Sequence, residues 1–199
     1  MASSTRTFSD LVFPRSRVRS SALLRDGLLV LGGSAVVAAL ARVVIPLQPV
    51  PVTGQTLGVL LVGAALGWQR GGLAMLAYLA EGLAGLPVFA EGKSGWPTLL
   101  GPTGGYLVGF IMAAVVVGWL AERHWDRTPW LMAAAMVLGN LAIYLVGLPW
   151  LATVYHLTPR LAYQFGMQPF LIGDTLKLII AVIALPGAWL IAGRAKHHD

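Results

Sequence analysis

The sequence predicts an all-α integral membrane protein with six transmembrane helices and both termini in the cytosol. Hydrophobic residues make up 57% of the 199 residues, and Asp, Glu, Lys and Arg together make up 11%. That charged fraction is about half of what a typical soluble domain carries. The apolar residues are gathered into long runs, as membrane-spanning helices require. The Lys and Arg residues cluster near the ends of these runs, which is typical of membrane proteins with a defined orientation.

Six apolar segments follow an Arg- and Ser-rich stretch, residues 1–21, which we assign to a cytosolic tail. We expect residues 22–193 to form one membrane domain and residues 194–199 to form a second cytosolic tail. The second apolar segment is short for a bilayer, which a helix of about 20 residues crosses. The predicted spans are 23–45, 55–68, 71–86, 104–121, 130–155 and 169–192.

The distribution of positive charge indicates the orientation of these spans. If the N-terminus is cytosolic, the outer loops carry only Lys93 and Arg160, and ten cations lie inside. This asymmetry is the one that the positive-inside rule describes. The ten are Arg6, Arg15, Arg17, Arg19, Arg25, Arg70, Arg123, Arg127, Arg194 and Lys196.

Composition excludes several function classes. The chain has no cysteine, so disulfides, thiolate catalysis and Cys-ligated metals are excluded. The net charge of +6 forms no dense basic stripe, so we expect no nucleic-acid partner. No G-x-x-x-x-G-K-[ST] string is present, so any ATP-driven work belongs to another subunit. The eight acidic residues form no cluster, and we expect neither a metal site nor a cofactor.

One string raises the alternative of an enzyme. Residues 92–95, GKSG, match the G-x-S-G string of intramembrane serine proteases of the rhomboid type. That chemistry needs a histidine base within reach of Ser94, but every histidine lies at a segment end or in the tail. We interpret the match as coincidence and keep an intramembrane hydrolase as a minor alternative. The histidines are His124, His156, His197 and His198.

Four ionisable residues interrupt the predicted spans: Arg42, Glu81, Asp174 and Lys177. A charge at such a position costs at least ~2.5 kcal/mol on insertion scales, so each should have a partner or a function. The orientation places all four in the outer half of the membrane. Asp174 and Lys177 are three residues apart and share a helix face, so they can pair or bind one polar group together. Two closed structural ion pairs are the alternative, and we favour a binding pocket.

The outer connections fit such a pocket. Residues 86–110 combine three prolines and six glycines with aromatic residues and few charges, which is typical of a lid or of a re-entrant plug. Thr53 and Gln55 add neutral hydrogen-bonding groups. This lining suits a small amphipathic solute that carries a carboxylate. The side chains of the connection that we expect at the site are Phe89, Lys93, Trp96 and Tyr106.

Small residues in the first span serve either helix packing or a partner surface. Ser34 with Ala38, and Ala35 with Ala39, have the four-residue spacing that lets helix backbones approach closely. The spacing alone favours packing within the bundle.

Four strings together resemble the BioY family, the biotin-specific S-components of energy-coupling factor (ECF) transporters: IPLQPVPVTGQTL (45–57), YLAEGLAGLPVFA (78–90), LLGPTGGYLVGF (99–110) and GDTLK (173–177). The resemblance covers residues 35–192. It implies a six-helix S-component bundle in a bacterial or archaeal-type cytoplasmic membrane. Such a protein captures biotin from outside with high affinity and performs no chemistry on it.

The resemblance also implies partners. A T-component and two cytosolic ABC-type ATPases would energise transport, although some relatives are thought to act alone, and self-association is left open. S-components carry an Ala-x-x-x-Ala docking surface on the first helix, and Ala35 and Ala39 match that spacing. This match raises the partner surface above simple packing.

Residue roles carry over from the family one by one. Asp174 and Lys177 match the polar pair of the last helix and are expected at the ureido ring, Tyr106 at the bicyclic ring and Lys93 at the valerate carboxylate. Glu81 lies where relatives have an uncharged residue, and Arg42 departs from the glutamine expected nearby. The remaining expected site residues are Gln55, Thr53, Phe89 and Trp96. A transporter subunit for another carboxylated vitamin is the alternative function.

Overall fold

The protein is described here by a computed structural model, which covers residues 7–13 and 18–195, with side chains up to residue 191. These residues are almost entirely helical. The only strands among them, β1 (Val44–Ile45) and β2 (Val52–Thr53), pair antiparallel as one hairpin. The α-helices of the described chain are α1 (Phe8–Val12), α2 (Arg19–Leu40), α3 (Gln55–Leu66), α4 (Trp68–Leu83), α5 (Gly95–Leu100), α6 (Gly104–Ala121), α7 (Pro129–Tyr155), α8 (Pro159–Gly166) and α9 (Leu171–Ala195).

Several charged and titratable residues of the two tails lie outside the described residues. This concerns the cations Arg6, Arg15, Arg17 and Lys196, the side chain of Arg194, and the tail histidines His197 and His198. The side of the membrane on which the termini lie therefore stays a prediction.

Within the described residues, four segments are long and apolar enough to cross a membrane: Arg19–Leu40, Gly104–Ala121, Pro129–Tyr155 and Pro159–Ile191. The last of these joins α8 to α9. The predicted second and third spans correspond to α3 and α4, which have 12 and 16 residues. The helical membrane architecture is thus confirmed, while six complete crossings stay a prediction.

Helix boundaries differ from the predicted spans where local backbone chemistry intervenes. The first helix ends at Leu40 rather than at residue 45, because the chain turns there into the hairpin. Gly67, at φ 82°, separates α3 from α4 by a single residue, a conformation that glycine adopts without strain. The predicted lid at 86–110 contains the short helix α5, and α8 was not predicted at all. Eight residues are too few to produce a clear periodic signal.

The core of the bundle is built around α6, in which 12 of 18 residues are buried. Its close crossing with α3 and α4 depends on glycine residues, which have no side chain. A Cβ on Gly63 would lie 2.7 Å from the carbonyl oxygen of Ala114, and a Cβ on Gly71 would lie 2.9 Å from the Cα of Gly63. Small residues let membrane helices approach closely, so this three-helix crossing fixes the scaffold on which the outer end is built.

The predicted N-terminal tail contains helix α1, which is anchored to the bundle. Asp10 accepts hydrogen bonds from Arg25 Nη2 at 2.8 Å and from Arg70 Nη2 at 2.9 Å. Phe8 contacts the Trp189 ring edge-on, at 5.6 Å between centroids. Burial raises the pKa of the Asp10 carboxyl, but the hydrogen bonds from both arginines outweigh it and hold that pKa well below its usual range. Two of the cations that we assign to the cytosolic side are therefore partly neutralised.

Candidate functional site

A cavity lies at the end of the bundle that carries the hairpin and the connection between α4 and α6. Its volume is about 50 Å³, which makes it a narrow, mostly enclosed cavity. Side chains from the hairpin, this connection and helices α3, α6, α7 and α9 line it. An outer groove of about 520 Å³ lies between the hairpin and the connection and shares several residues with the cavity. This volume is within the usual range of small-molecule sites. The cavity therefore has one polar, loop-covered side.

The start of α3 supplies neutral polar groups to the cavity. The backbone N–H of Gly54 donates to Val43 O at 2.9 Å and ties the helix start to the hairpin. The Thr53 hydroxyl donates to Gln55 Oε1 at 2.9 Å, and Gln55 Nε2 donates to Tyr78 Oη at 2.7 Å. Thr53 and Gln55 are both buried. Their orientation is consequently set by protein contacts before any ligand arrives.

Helix α9 supplies the charged pair. Lys177 Nζ donates to Thr56 Oγ1 at 2.8 Å and to Asp174 Oδ1 at 3.3 Å. The second oxygen of Asp174 accepts a short hydrogen bond from the Tyr144 hydroxyl. The side chains of Lys177 and Asp174 are only 13% and 10% exposed, and Lys177 lines the cavity. Lys177 and Asp174 therefore form an ion pair, but the ammonium group of Lys177 remains accessible from the cavity.

Aromatic residues form the apolar side of the cavity. Tyr106 stacks on Phe170 at 6.3 Å between ring centroids and meets the Tyr144 ring edge-on at 6.4 Å. Its hydroxyl donates to Gly166 O at 2.8 Å. A Cβ on Gly166 would lie 2.4 Å from that hydroxyl oxygen, and a Cβ on Gly147 would lie 2.7 Å from the ring. Glycines on α7 and α8 therefore form the slot that holds Tyr106.

The connection between α4 and α6 covers the cavity with Phe89 and Lys93. Phe89 is 1% exposed, and its ring lies against Gly82, where a Cβ would be 2.0 Å from the ring. Lys93 lines both the cavity and the outer groove. It is 57% exposed and pairs with Glu91 at 2.5 Å. One residue thus closes the apolar side, and the other lies where the cavity meets the outside.

The structure brings together most of the residues predicted for the site. Asp174 lies directly behind the cavity wall, bonded to Lys177. Glu81 and Trp96 lie elsewhere: Glu81 accepts a short hydrogen bond from Ser34 on α2, and Trp96 is 60% exposed on α5. Six of the predicted residues line the cavity, namely Thr53, Gln55, Phe89, Lys93, Tyr106 and Lys177.

Seven polar or aromatic residues of the cavity were not predicted: Thr56, Thr98, Thr103, Phe110, Asn140, Tyr144 and Phe170. Asn140 is the only asparagine of the sequence and lies within the apolar helix α7. Polar side chains inside membrane helices usually have a function, so this signal was available. Among the described residues, the Asn140 amide makes no hydrogen bond, which leaves its donors and its acceptor free for a ligand.

The remaining predicted residues serve other contacts. Arg42 donates a short hydrogen bond to Pro87 O, and the described contacts include no pairing between Arg42 and Glu81. Ser94 lies in the outer groove, and no described histidine is hydrogen-bonded to it.

Helix α2 has a packed face and an outward face. Gly33 and Ser34 are buried against the bundle, whereas Ala35 and Ala39 are exposed. The pair expected to dock a partner is therefore on the outward face.

Comparison with known proteins identifies similar chains. Residues 12–194 match the model of the BioY family. The biotin transporter BioY of Rhizobium etli is 36% identical over 142 residues, which is 68% of this chain and 75% of that protein. The biotin transporter BioY of Thermotoga maritima is 41% identical over 143 residues, 72% of this chain and 83% of that protein. A crystal structure of the S-component for biotin from an ECF-type ABC transporter superposes with a TM-score of 0.75 and 24% identity, over 86% of this chain and 93% of that one.

Proposed function

The chain belongs to the BioY family, and we propose that it takes up biotin across a membrane as the substrate-specific subunit of an ECF-type transporter. It performs no chemistry on its ligand. One observation carries the proposal: a cavity in which Lys177, paired with Asp174 behind it, and the free amide of Asn140 face an aromatic wall. An amphipathic ring compound with a polar head and an apolar body matches that division.

The polar side of the cavity matches a ureido ring, which has one carbonyl acceptor and two N–H donors. Lys177 Nζ carries three hydrogens. Thr56 and Asp174 accept two of them, so the third is available to a ligand carbonyl. The free amide of Asn140 can donate to the same carbonyl or accept from a ring N–H. We propose that these two residues bind the ureido ring and that Asp174 and Tyr144 hold Lys177 in position.

The aromatic wall matches the bicyclic ring and the aliphatic chain. Burying this surface against Tyr106, Phe170 and Phe89 supplies most of the affinity, at about 25 cal/mol per Å² of apolar area. We propose that the ligand carboxylate reaches Lys93 and displaces Glu91 as its partner. The position of Lys93 at the boundary between cavity and outer groove supports this role.

Transport requires partners and an orientation. We propose six membrane-crossing helices with both termini cytosolic, so that the cavity opens outward in a bacterial or archaeal-type cytoplasmic membrane. The exposed Ala35 and Ala39 on α2 suit close approach of a partner helix. We assign this surface to the T-component, which in turn engages two ABC-type ATPases.

The decisive experiment is equilibrium binding of labelled biotin to the purified, detergent-solubilised protein, with unlabelled biotin and other carboxylated vitamins as competitors. We expect tight, saturable binding that only biotin displaces efficiently. Efficient displacement by a different vitamin would identify that vitamin, instead of biotin, as the ligand. No binding by protein of verified fold would refute capture by this chain alone.

A further inference from the structure

One tyrosine links the cavity to the segment that covers it. Tyr78 on α4 is 1% exposed and does not line the cavity itself. Its hydroxyl accepts a hydrogen bond from Gln55 Nε2 at 2.7 Å and donates one to Val88 O at 2.8 Å. Gln55 lines the cavity, and Val88 directly precedes Phe89 in the connection that covers it. A single hydroxyl group therefore contacts both.

The chemistry of these groups fixes the donor and the acceptor of each hydrogen bond from Thr53 through Gln55 and Tyr78 to Val88. A backbone carbonyl only accepts hydrogen bonds, so the single hydroxyl hydrogen of Tyr78 is used on Val88 O. The Tyr78 oxygen must then accept, and the group that faces it must be the NH₂ end of the Gln55 amide. Gln55 Oε1 consequently faces the Thr53 hydroxyl, which donates to it at 2.9 Å. The second N–H of Gln55 stays available to a ligand.

The ring of Tyr78 holds the same covering segment through a second contact. It meets the Phe89 ring edge-on, at 5.5 Å between centroids. Gly82, four residues after Tyr78 and one helical turn further along α4, leaves the space that Phe89 fills. Residues 88 and 89 are thus held by a hydroxyl group, an aromatic edge and a glycine notch on one helix face.

We propose that Tyr78 is a positioning residue for ligand recognition, resting on the proposed function above. It fixes the Gln55 amide so that an N–H, and not the carbonyl oxygen, faces the ligand. The same hydroxyl keeps residues 88–89 closed over the cavity. Selectivity for a ligand acceptor group at Gln55 and slow ligand release are therefore coupled through one oxygen atom.

The variant Tyr78→Phe tests this proposal, because it removes the hydroxyl and keeps the ring contact with Phe89. The Gln55 amide is then free to turn, and Val88 O loses its donor. We expect biotin koff to rise roughly 5- to 150-fold, as the loss of two neutral hydrogen bonds predicts. Tyr155→Phe is the matched control, because Tyr155 is exposed and its hydroxyl makes no hydrogen bond to any described residue.

Ligand preference separates a positioning role from a structural one. Iminobiotin replaces the ring carbonyl acceptor by a donor, and the methyl ester of biotin weakens the carboxylate acceptor. For each analogue, the affinity for biotin is divided by the affinity for the analogue. If Tyr78 fixes the amide, at least one of these two ratios should be at least about fivefold lower in Tyr78→Phe than in wild type. On a Gln55→Ala background, Tyr78→Phe should change neither ratio further, because it acts through Gln55.

The possible failures are distinguishable. Wild-type protein that is folded and does not bind biotin would overturn the proposed function and this inference with it. Wild-type protein that binds biotin, together with a Tyr78→Phe variant whose koff and both ratios are unchanged, would overturn the inference alone. A ratio that still changes on the Gln55→Ala background would also overturn it.

Discussion

Replacing Lys177 by methionine gives the sharpest test of the polar side of the cavity. Methionine keeps the length and apolar stem of the side chain and removes the ammonium group. A hydrogen bond between a charged group and a ligand contributes about 1.5–3 kcal/mol, so we expect biotin Kd to rise roughly 10- to 150-fold. Asp174, only 10% exposed, also loses its cation. Breaking a buried pair costs about 3–5 kcal/mol, so the thermal midpoint should fall as well.

A second substitution separates these two effects. In the double variant Lys177→Met, Asp174→Asn the uncompensated charge is gone, so the thermal midpoint should recover while biotin binding stays weak. Kd is measured by titration with labelled biotin, and unfolding is followed in detergent on the same samples. Arg160→Met removes an exposed cation of α8 and should leave both quantities unchanged. A Kd for Lys177→Met within twofold of wild type would refute the assignment of Lys177 to the ligand.

Three further outcomes follow from the structure. Gly147→Ala should displace Tyr106, since its Cβ would lie 2.7 Å from the ring, and weaken biotin binding at least about tenfold, whereas Gly32→Ala, with open space around it, should not. Asp10→Asn should lower the thermal midpoint at neutral pH. Because the folded-state pKa of Asp10 is depressed, its contribution is present above the unfolded pKa, so the difference from wild type should shrink only below pH ~4. Ser94→Ala should leave biotin uptake in cells unchanged, and loss of uptake would favour the hydrolase alternative.

The sequence predicts the helical membrane architecture well, because long apolar runs and glycine-rich crossings produce strong signals. It also identifies the charged pair on α9, since a charge inside an apolar segment needs a reason. The same reasoning does not identify Tyr144 and Phe170 as site residues. They lie in apolar surroundings, and only the tertiary packing of α7 against α9 reveals that they face a cavity.

Two predicted residues show the opposite limit. Glu81 lies three residues after Tyr78 on α4, but it faces α2 and meets Ser34 instead of the cavity. Its intramembrane charge indicated a function without indicating a direction. Trp96 belongs to a connection whose composition suggested a lid, yet α5 presents its ring outward. Composition describes a segment as a whole and does not say which of its side chains point inward.

The shortness of α3 and α4 has a consequence for the surrounding lipid. Helices of 12 and 16 residues are about 18 and 24 Å long, less than the ~30 Å hydrocarbon layer. The hairpin and the connection after α4 must make up the difference, so we expect the mouth of the cavity to lie below the level that the longer helices reach. A bilayer of longer acyl chains would cover this mouth, and one of shorter chains would expose it. Biotin uptake in reconstituted vesicles should therefore vary with acyl-chain length even when the lipid head group is held constant.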